Sequence, residues 1–474
     1  MSRIHALLEP RSVAVIGAST DPAKSGGVLL SSLLRGDFPG AILPINPRAG
    51  EIQGLRTYPS IGDVPEAVDL AFIVVRRELV YESVAACADA GVRAVAIITA
   101  GFGEADEWGR GEHERLARLI ADRDLLAIGP NTIGLITMGG RLLGTFVDFP
   151  RWDEGPIALA SQSGIFAGAL AQDIMARPAQ RLGIRHSVSI GNRGGVSEVD
   201  LLEAYAQDPA VGVIGFYLES FADAPRFLAV AAEVKRTKPI VMLKPARTER
   251  GALAALSHTG SLAADDAVVD QLLTQYGIVR VDDEDELLGV LRAFSYAPLP
   301  SGPRLGIVTF SGAMGVMTSD FAAEEGLDLD SYTDATTARF RALLPDWQQV
   351  GNPADLWPAI DIDRRAAMVE GLRFALEDPQ IDQVLGILLA VPNADFDDFR
   401  DAFAQLCTAH PDKPLHLVIR GTLRDDWTQR LDGLGIPIYT SLRLAVRVMA
   451  ATTRYAAGRG RVPQAARLFE EVSV

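Results

Sequence analysis

Short apolar, β-rich runs alternate with longer amphipathic stretches through the N-terminal third of the chain. The runs are Ser12–Ile16, Ala41–Ile45, Leu70–Val75, Ala94–Ile98 and Leu126–Ile128. Such a rhythm predicts βαβ units and a parallel sheet. Each run ends in small or polar residues: Gly17-Ala-Ser-Thr20, Asn46-Pro47, Arg76-Arg77, Thr99-Ala-Gly-Phe-Gly103 and Gly129-Pro-Asn131. In folds of this kind the carboxyl ends of the strands are where ligands bind.

A charged stretch bearing Pro and Gly, residues 149–156, reads as a linker, and beyond it the pattern repeats. Ile157-Ala-Leu-Ala-Ser-Gln-Ser163-Gly164 resembles Ile307-Val-Thr-Phe-Ser311-Gly312, and Gly191-Asn192 resembles Gly351-Asn352. Asp208-Pro209 ahead of Val213–Tyr217 resembles Asp378-Pro379 ahead of Leu385–Leu389, and Lys238-Pro239 resembles Lys413-Pro414. Four landmarks in one order predict a duplicated α/β domain. The expected organisation is a first domain over 1–148, two related domains over 155–298 and 303–457, and a tail or linker over 458–474.

Composition narrows the setting. A chain of 474 residues exceeds one ordinary core, and 48% hydrophobic content is ample for three. Cys87 and Cys407 are the only cysteines, too few for a disulfide framework or a Cys-rich metal site, so a reducing cytoplasm is the expected home and no metal site is expected. The N-terminus lacks a signal peptide's apolar run, and no segment reaches the ~18 uninterrupted apolar residues that would span a bilayer. A formal charge of −16 opposes non-specific binding to nucleic acid or an anionic membrane, and neither is expected as a partner. A phosphate-bearing ligand would need a local positive field.

Candidate chemistry clusters at the strand ends. Gly17 makes a tight turn before a helix whose N-terminal amides suit a phosphate. The G-x-G-x-x-G spacing is absent, and Asn46-Pro47 stands where an acid would grip a nicotinamide ribose, so a nucleotide-like ligand other than NAD is favoured. Ser161-Gln-Ser163-Gly164 and Ser311-Gly312-Ala313 each open a helical pattern after a strand; they read either as anion sites or as ordinary helix caps. Ser257-His258-Thr259-Gly260-Ser261 places an imidazole among hydroxyls, as a phosphoryl carrier needs. Glu219, closing a strand, is either a solvated strand end or the acid that fixes the His258 tautomer. Lys244 and Arg247 flank the same crevice.

The order of Val13–Ser19, Ile45–Pro47, Thr99–Glu104, Gly129–Asn131, Ser161–Gly164, Ser257–Ser261 and Gly351–Asp355 resembles the NDP-forming acyl-CoA synthetase family, which includes succinyl-CoA synthetase α chains. The resemblance implies an α/β protein with a Rossmann-like CoA-binding domain followed by two flavodoxin-like, succinyl-CoA synthetase-type ligase domains. It implies that phosphate attacks an acyl-CoA thioester and that His258, steadied by Glu219, takes the phosphoryl group and passes it to ADP or GDP. Gly17, Ser19, Asn46, Pro47, Val75 and Ala100 match the loops around CoA. Ser161, Ser163, Gly164, Gly312 and Ala313 match the paired helix starts that hold the phosphohistidine. Lys244-Pro245-Ala246-Arg247 departs from the family's Lys-x-Gly-Arg, with Ala for Gly. No ATP-grasp domain is visible, which implies a separate ATP-grasp β subunit carrying ATP or ADP and Mg, in a hetero-oligomer acting on a small-molecule acid or acyl-CoA. The alternatives are a catalytically silent CoA-binding regulatory or scaffold protein of the same fold and, weaker, an NAD-dependent dehydrogenase.

Overall fold

The computed structural model describes residues 4–147, 153–176, 182–259, 265–361, 364–390, 397–431 and 434–461. The first sheet uses all five predicted runs as β1 (Ser12–Ile16), β2 (Ala41–Ile45), β5 (Leu70–Ile73), β6 (Ala94–Ile97) and β7 (Leu126–Ile128). A small antiparallel ladder, β3 (Glu51–Ile52) with β4 (Leu55–Arg56), follows β2. The large strands are parallel in the order β2-β1-β5-β6-β7. Every residue of β1, β5 and β6 is buried, which is why these segments read as continuous apolar runs instead of alternating ones.

The second sheet contains β8 (Gly134–Thr137), β9 (Leu142–Thr145), β10 (Ile157–Ser161), β11 (Ile184–Ser189), β12 (Val213–Tyr217), β13 (Ile240–Leu243) and β14 (Val279–Val281), ordered β14-β13-β12-β10-β11-β8-β9. Strands β10 to β14 are parallel in the flavodoxin arrangement. The β8–β9 hairpin, which precedes the linker in sequence, adds antiparallel to the edge of β11. Residues up to Asp282 and residues 283–461 form two compact units. The second unit holds the third large sheet: β15 (Leu305–Thr309), β16 (Ala354–Asp355), β17 (Gln383–Leu389), β18 (Leu415–Arg420) and β19 (Ile438–Tyr439), parallel in the order β16-β15-β17-β18-β19.

The repeat is visible in atomic detail. Lys238 Nζ donates to the Asp208 carbonyl at 2.5 Å, and Lys413 Nζ donates to the Asp378 carbonyl at 2.7 Å. Both aspartates accept from the backbone N–H two residues on, Ala210 and Gln380, at 2.8 Å. The Gly-Asn landmark differs: Gly191-Asn192 follows β11, whereas Gly351-Asn352 precedes β16.

Burial of His416 on β18 carries a pH dependence. Only 1% exposed, its Nδ1 lies 3.0 Å from the Tyr439 hydroxyl, and burial pushes its pKa from 6.5 down to about 3. Between those values the unfolded chain binds a proton that the folded chain does not, so stability rises with pH. The contribution is complete above the unfolded value and is lost on acidification by up to about 1.4 kcal/mol per pH unit. Denaturant titrations from pH 7 to 4 are expected to show a shallower acid limb for His416→Gln than for the wild type.

Candidate active site

The loop after β1 is built by close approach. Gly17 has φ +92°, and a Cβ there would lie 2.2 Å from the Val74 carbonyl oxygen. The helix Ser25–Arg35 presses on the same loop: a Cβ on Gly26 would sit 2.2 Å from the Gly17 oxygen. The close-packing role of a dinucleotide fingerprint's later glycine thus falls to Gly26, at a spacing the usual pattern does not describe. Asn46 donates from Nδ2 to the Ala18 carbonyl at 2.8 Å and accepts from Arg48 N–H at 2.8 Å, tying the ends of β1 and β2 together. A cleft of about 340 Å³ opens there, lined by Gly17, Asn46, Pro47 and Val75 together with Ile61, Leu79 and Ser83. Ser19 and Ala100 lie outside this lining. The Ser19 hydroxyl is used within its own turn, accepting from Asp21 N–H at 3.1 Å.

At the end of β10, buried Ser161 donates from Oγ to the Ser163 carbonyl at 2.6 Å, and Ser163 Oγ accepts from Phe166 N–H at 3.4 Å as the helix Gly164–Ala176 begins. On the adjacent strand β12, Tyr217 pairs with Ser161, and its ring stacks on Phe166 with centroids 4.2 Å apart. Two residues on, Glu219 is buried, with Oε1 3.5 Å from the Tyr217 hydroxyl. The turn carrying Glu219 is held on both sides. Gln162 Oε1 accepts from the N–H groups of Glu219 at 3.0 Å and Ser220 at 3.3 Å. Opposite, Arg193 donates to the Ser220 carbonyl at 3.1 Å and to its hydroxyl, while fully buried Glu198 pairs with Arg193 and accepts from Ala222 N–H at 2.6 Å.

Strand β13 delivers Lys244 beside this turn; Leu218 N–H donates to the Leu243 carbonyl at 3.2 Å. Burial and the nearby Arg280 hold the Lys244 ammonium below the usual lysine range, against the opposing pull of Asp266 and Glu219. Its Nζ donates to the Pro245 carbonyl at 3.2 Å. Arg247 is paired with Asp282 and donates to the Val281 carbonyl at 3.3 Å, so it braces the loop. Ala246 between them has φ +64°, a region where a Cβ is strained. Ala246→Gly is expected to stabilise the protein by about 0.5–1 kcal/mol, read as a raised denaturation midpoint. The helix Glu249–Thr259 follows and carries His258 one residue from its end. The His258 side chain and residues 260–264 lie outside the described part of the structure.

In the second unit the helix Gly312–Glu324 starts after β15, with Ser311 Oγ accepting from Met314 N–H at 3.4 Å. Gly312 and Ala313 are exposed beside a cleft of about 350 Å³ that also presents Ser311, Trp357 and Leu389. Asp355, at the end of β16, points its Oδ2 to within 2.9 Å of where a Cβ on Gly312 would stand. Both helix starts thus have a serine hydroxyl on the first turn and a carboxylate close by, Glu219 at the first and Asp355 at the second.

Residues 11–138 match a CoA binding domain family, and residues 154–294 match the succinyl-CoA ligase like flavodoxin domain family. The chain is 34% identical to the ADP-forming acetate–CoA ligase II of Archaeoglobus fulgidus, over 96% of this chain and 67% of that one. It is 33% identical to the α subunit of ADP-forming acetate–CoA ligase II of Pyrococcus furiosus, over 91% and 93% respectively. The structure of acetyl-coenzyme A synthetase 1 of Ca. Korarchaeum cryptofilum, solved with phosphate and ADP, superposes over the full length of both chains with a TM-score of 0.89 at 30% identity. The chain belongs to the NDP-forming acyl-CoA synthetases. It is an acid–CoA ligase chain of α type.

For a member of this family, the sequence pattern locates the strand ends well and their supports poorly. Gly17, Asn46, Pro47 and Val75 share one cleft, and Ser161, Ser163, Gly164 and Glu219 share one pair of strand ends. Gln162, Arg193 and Glu198 escape sequence reading because their partners lie up to 58 residues away. The one available signal is Gln162's place between the two serines of a predicted anion loop.

Proposed function

We propose that this chain interconverts acyl-CoA and phosphate with acid and CoA through an acyl phosphate, and that His258 carries the phosphoryl group onward to ADP. A phosphate oxygen attacks the thioester carbonyl and the C–S bond breaks, releasing the CoA thiolate. An imidazole nitrogen of His258 then attacks phosphorus, and the acid leaves as carboxylate with the P–O pair. The second ring N–H donates to Glu219, which fixes the tautomer and stabilises the imidazolium that forms. In the final step a terminal ADP oxygen attacks phosphorus and the N–P bond breaks. The amides at Ser163-Gly164 and the hydroxyls of Ser161 and Ser163 suit the phosphoryl oxygens. The cleft at Gly17, Asn46, Pro47 and Val75 suits CoA.

The observation that carries this reading is the buried Glu219, clamped at the end of β12 directly beside the helix start at Ser161–Gly164. The corresponding division is a CoA-binding domain over 1–148 and ligase domains over 155–298 and 303–457, in keeping with the family matches at 11–138 and 154–294. An ATP-grasp partner chain would supply the ADP or ATP and Mg site. Support comes from the two Pyrococcus furiosus relatives named as α subunits, of which this chain spans 93% and 97%. A cytoplasmic setting is part of the proposal; among the described residues no helix is long and apolar enough to cross a membrane.

The test is to supply labelled phosphate and a panel of acyl-CoA thioesters, with and without an ATP-grasp β chain. Phosphate-dependent release of free CoA and an acid-labile label on the protein are expected. CoA binding with neither release nor label, across the panel and with the partner present, would overturn the proposal.

A further inference from the structure

We infer that Gln162 is the positioning residue of the phosphoryl site: its carboxamide oxygen sets the backbone of Glu219 in register with the Ser161–Gly164 helix start, so that the acid and the phosphate loop act as one rigid part. The inference rests on the phosphohistidine reading above and adds a residue to it.

A glutamine left 9% exposed at the strand ends must find partners for its polar atoms. Its Oε1 has two acceptor sites, and both are used, on the N–H groups of Glu219 and Ser220 at 3.0 and 3.3 Å. Its own N–H donates to the Tyr217 carbonyl at 3.0 Å. One side chain thus joins the loop between the two serines to the turn that follows β12. An apolar side chain there offers no acceptor. A second link runs parallel to it, through the Phe166–Tyr217 stack and the Tyr217 hydroxyl 3.5 Å from Glu219 Oε1. Because Arg193 and Glu198 hold the far side of the turn independently, loss of Gln162 leaves the turn in place but lets Glu219 pivot. The effect should therefore fall on turnover more than on folding or on CoA binding, whose cleft lies on the first sheet.

The experiment uses the full chain with its ATP-grasp partner, measures acyl-CoA synthesis, and compares Gln162→Met, which keeps length but removes the acceptor, with Gln162→Glu, which keeps two acceptor oxygens for the same N–H groups. For Gln162→Met, kcat is expected to fall roughly 10- to 100-fold, with KM for CoA within about twofold of wild type. Gln162→Glu is expected to recover kcat only in part, to a value between Gln162→Met and the wild type, because a carboxylate accepts the same backbone N–H bonds but adds negative charge beside the phosphoryl site. A Met variant with wild-type kcat, while His258→Ala is inactive, overturns the role of Gln162 and leaves the phosphohistidine reading intact. An active His258→Ala overturns that reading instead. Should Gln162→Met not fold, Gln162→Asn decides alone: its neutral amide is withdrawn by one methylene, so a folded variant with lowered kcat and unchanged KM for CoA supports the assignment, and one with wild-type kcat overturns it.

Discussion

Replacing His258 with alanine is expected to remove the acid-labile label completely and to lower turnover by at least about 10⁴-fold, the scale seen when a covalent nucleophile is deleted from a unit whose members act together. The groups at the Ser161 and Lys244 strand ends offer no substitute nucleophile. The Ser161 hydroxyl donates to the Ser163 carbonyl, and a neutral hydroxyl is a weak nucleophile without a base. Lys244 is buried against the Pro245 carbonyl. The variant should keep its CoA affinity, since the cleft proposed for CoA, at Gly17 and Asn46, belongs to another sheet. Mass mapping of the labelled peptide checks the assignment: a label that persists in His258→Ala would move the nucleophile to another residue.

Glu219→Gln is expected to be the next most damaging change, costing roughly 10²- to 10⁴-fold in kcat with little effect on KM for CoA. The substitution preserves volume, and the Gln162 clamp acts on the backbone of residue 219, so the turn should survive. On the proposed mechanism, what disappears is the negative charge that would stabilise an imidazolium and select the attacking tautomer. Glu219→Asp keeps the charge but withdraws it by one methylene, and is expected to fall between the wild type and Gln. Single-turnover phosphorylation separates this from partner binding: the Gln variant should be slow to acquire label even at saturating acyl-CoA. Equal labelling rates would return Glu219 to the role of a buried strand end.

Legibility in the sequence followed burial. Strands covered on both faces, such as β1, β5 and β6, stand out as unbroken apolar runs, and the first sheet was readable almost strand by strand. Strand β11 was not, because Ile184–Ser189 carries the half-buried Arg185 and the buried His186, polar residues whose charge and ring nitrogen are met by Asp208 at 2.8 and 3.0 Å. That partner lies 22 and 23 residues on, beyond any local pattern. The two-residue strands β16 and β19 are too short for periodicity to register. At the candidate site, the strand-end residues proposed to face ligands are nameable from motifs, whereas those that hold the strand-end turn, Gln162, Arg193 and Glu198, are defined by contacts made only once the chain folds. Ala246 is the converse case: the departure from Lys-x-Gly-Arg is plain in the sequence, and its φ of +64° supplies the physical reason that glycine fits there.

The β8–β9 hairpin sets where this protein can be cut. A fragment starting at residue 155 would strip the strand that covers His186, Ser187 and Val188, leaving their outward backbone groups open along a sheet edge and inviting copies to pair with one another. A fragment starting before Gly134 would take its own cover with it. For anyone dissecting the chain, the severable joint lies ahead of the hairpin and not in the Pro- and Gly-bearing linker behind it.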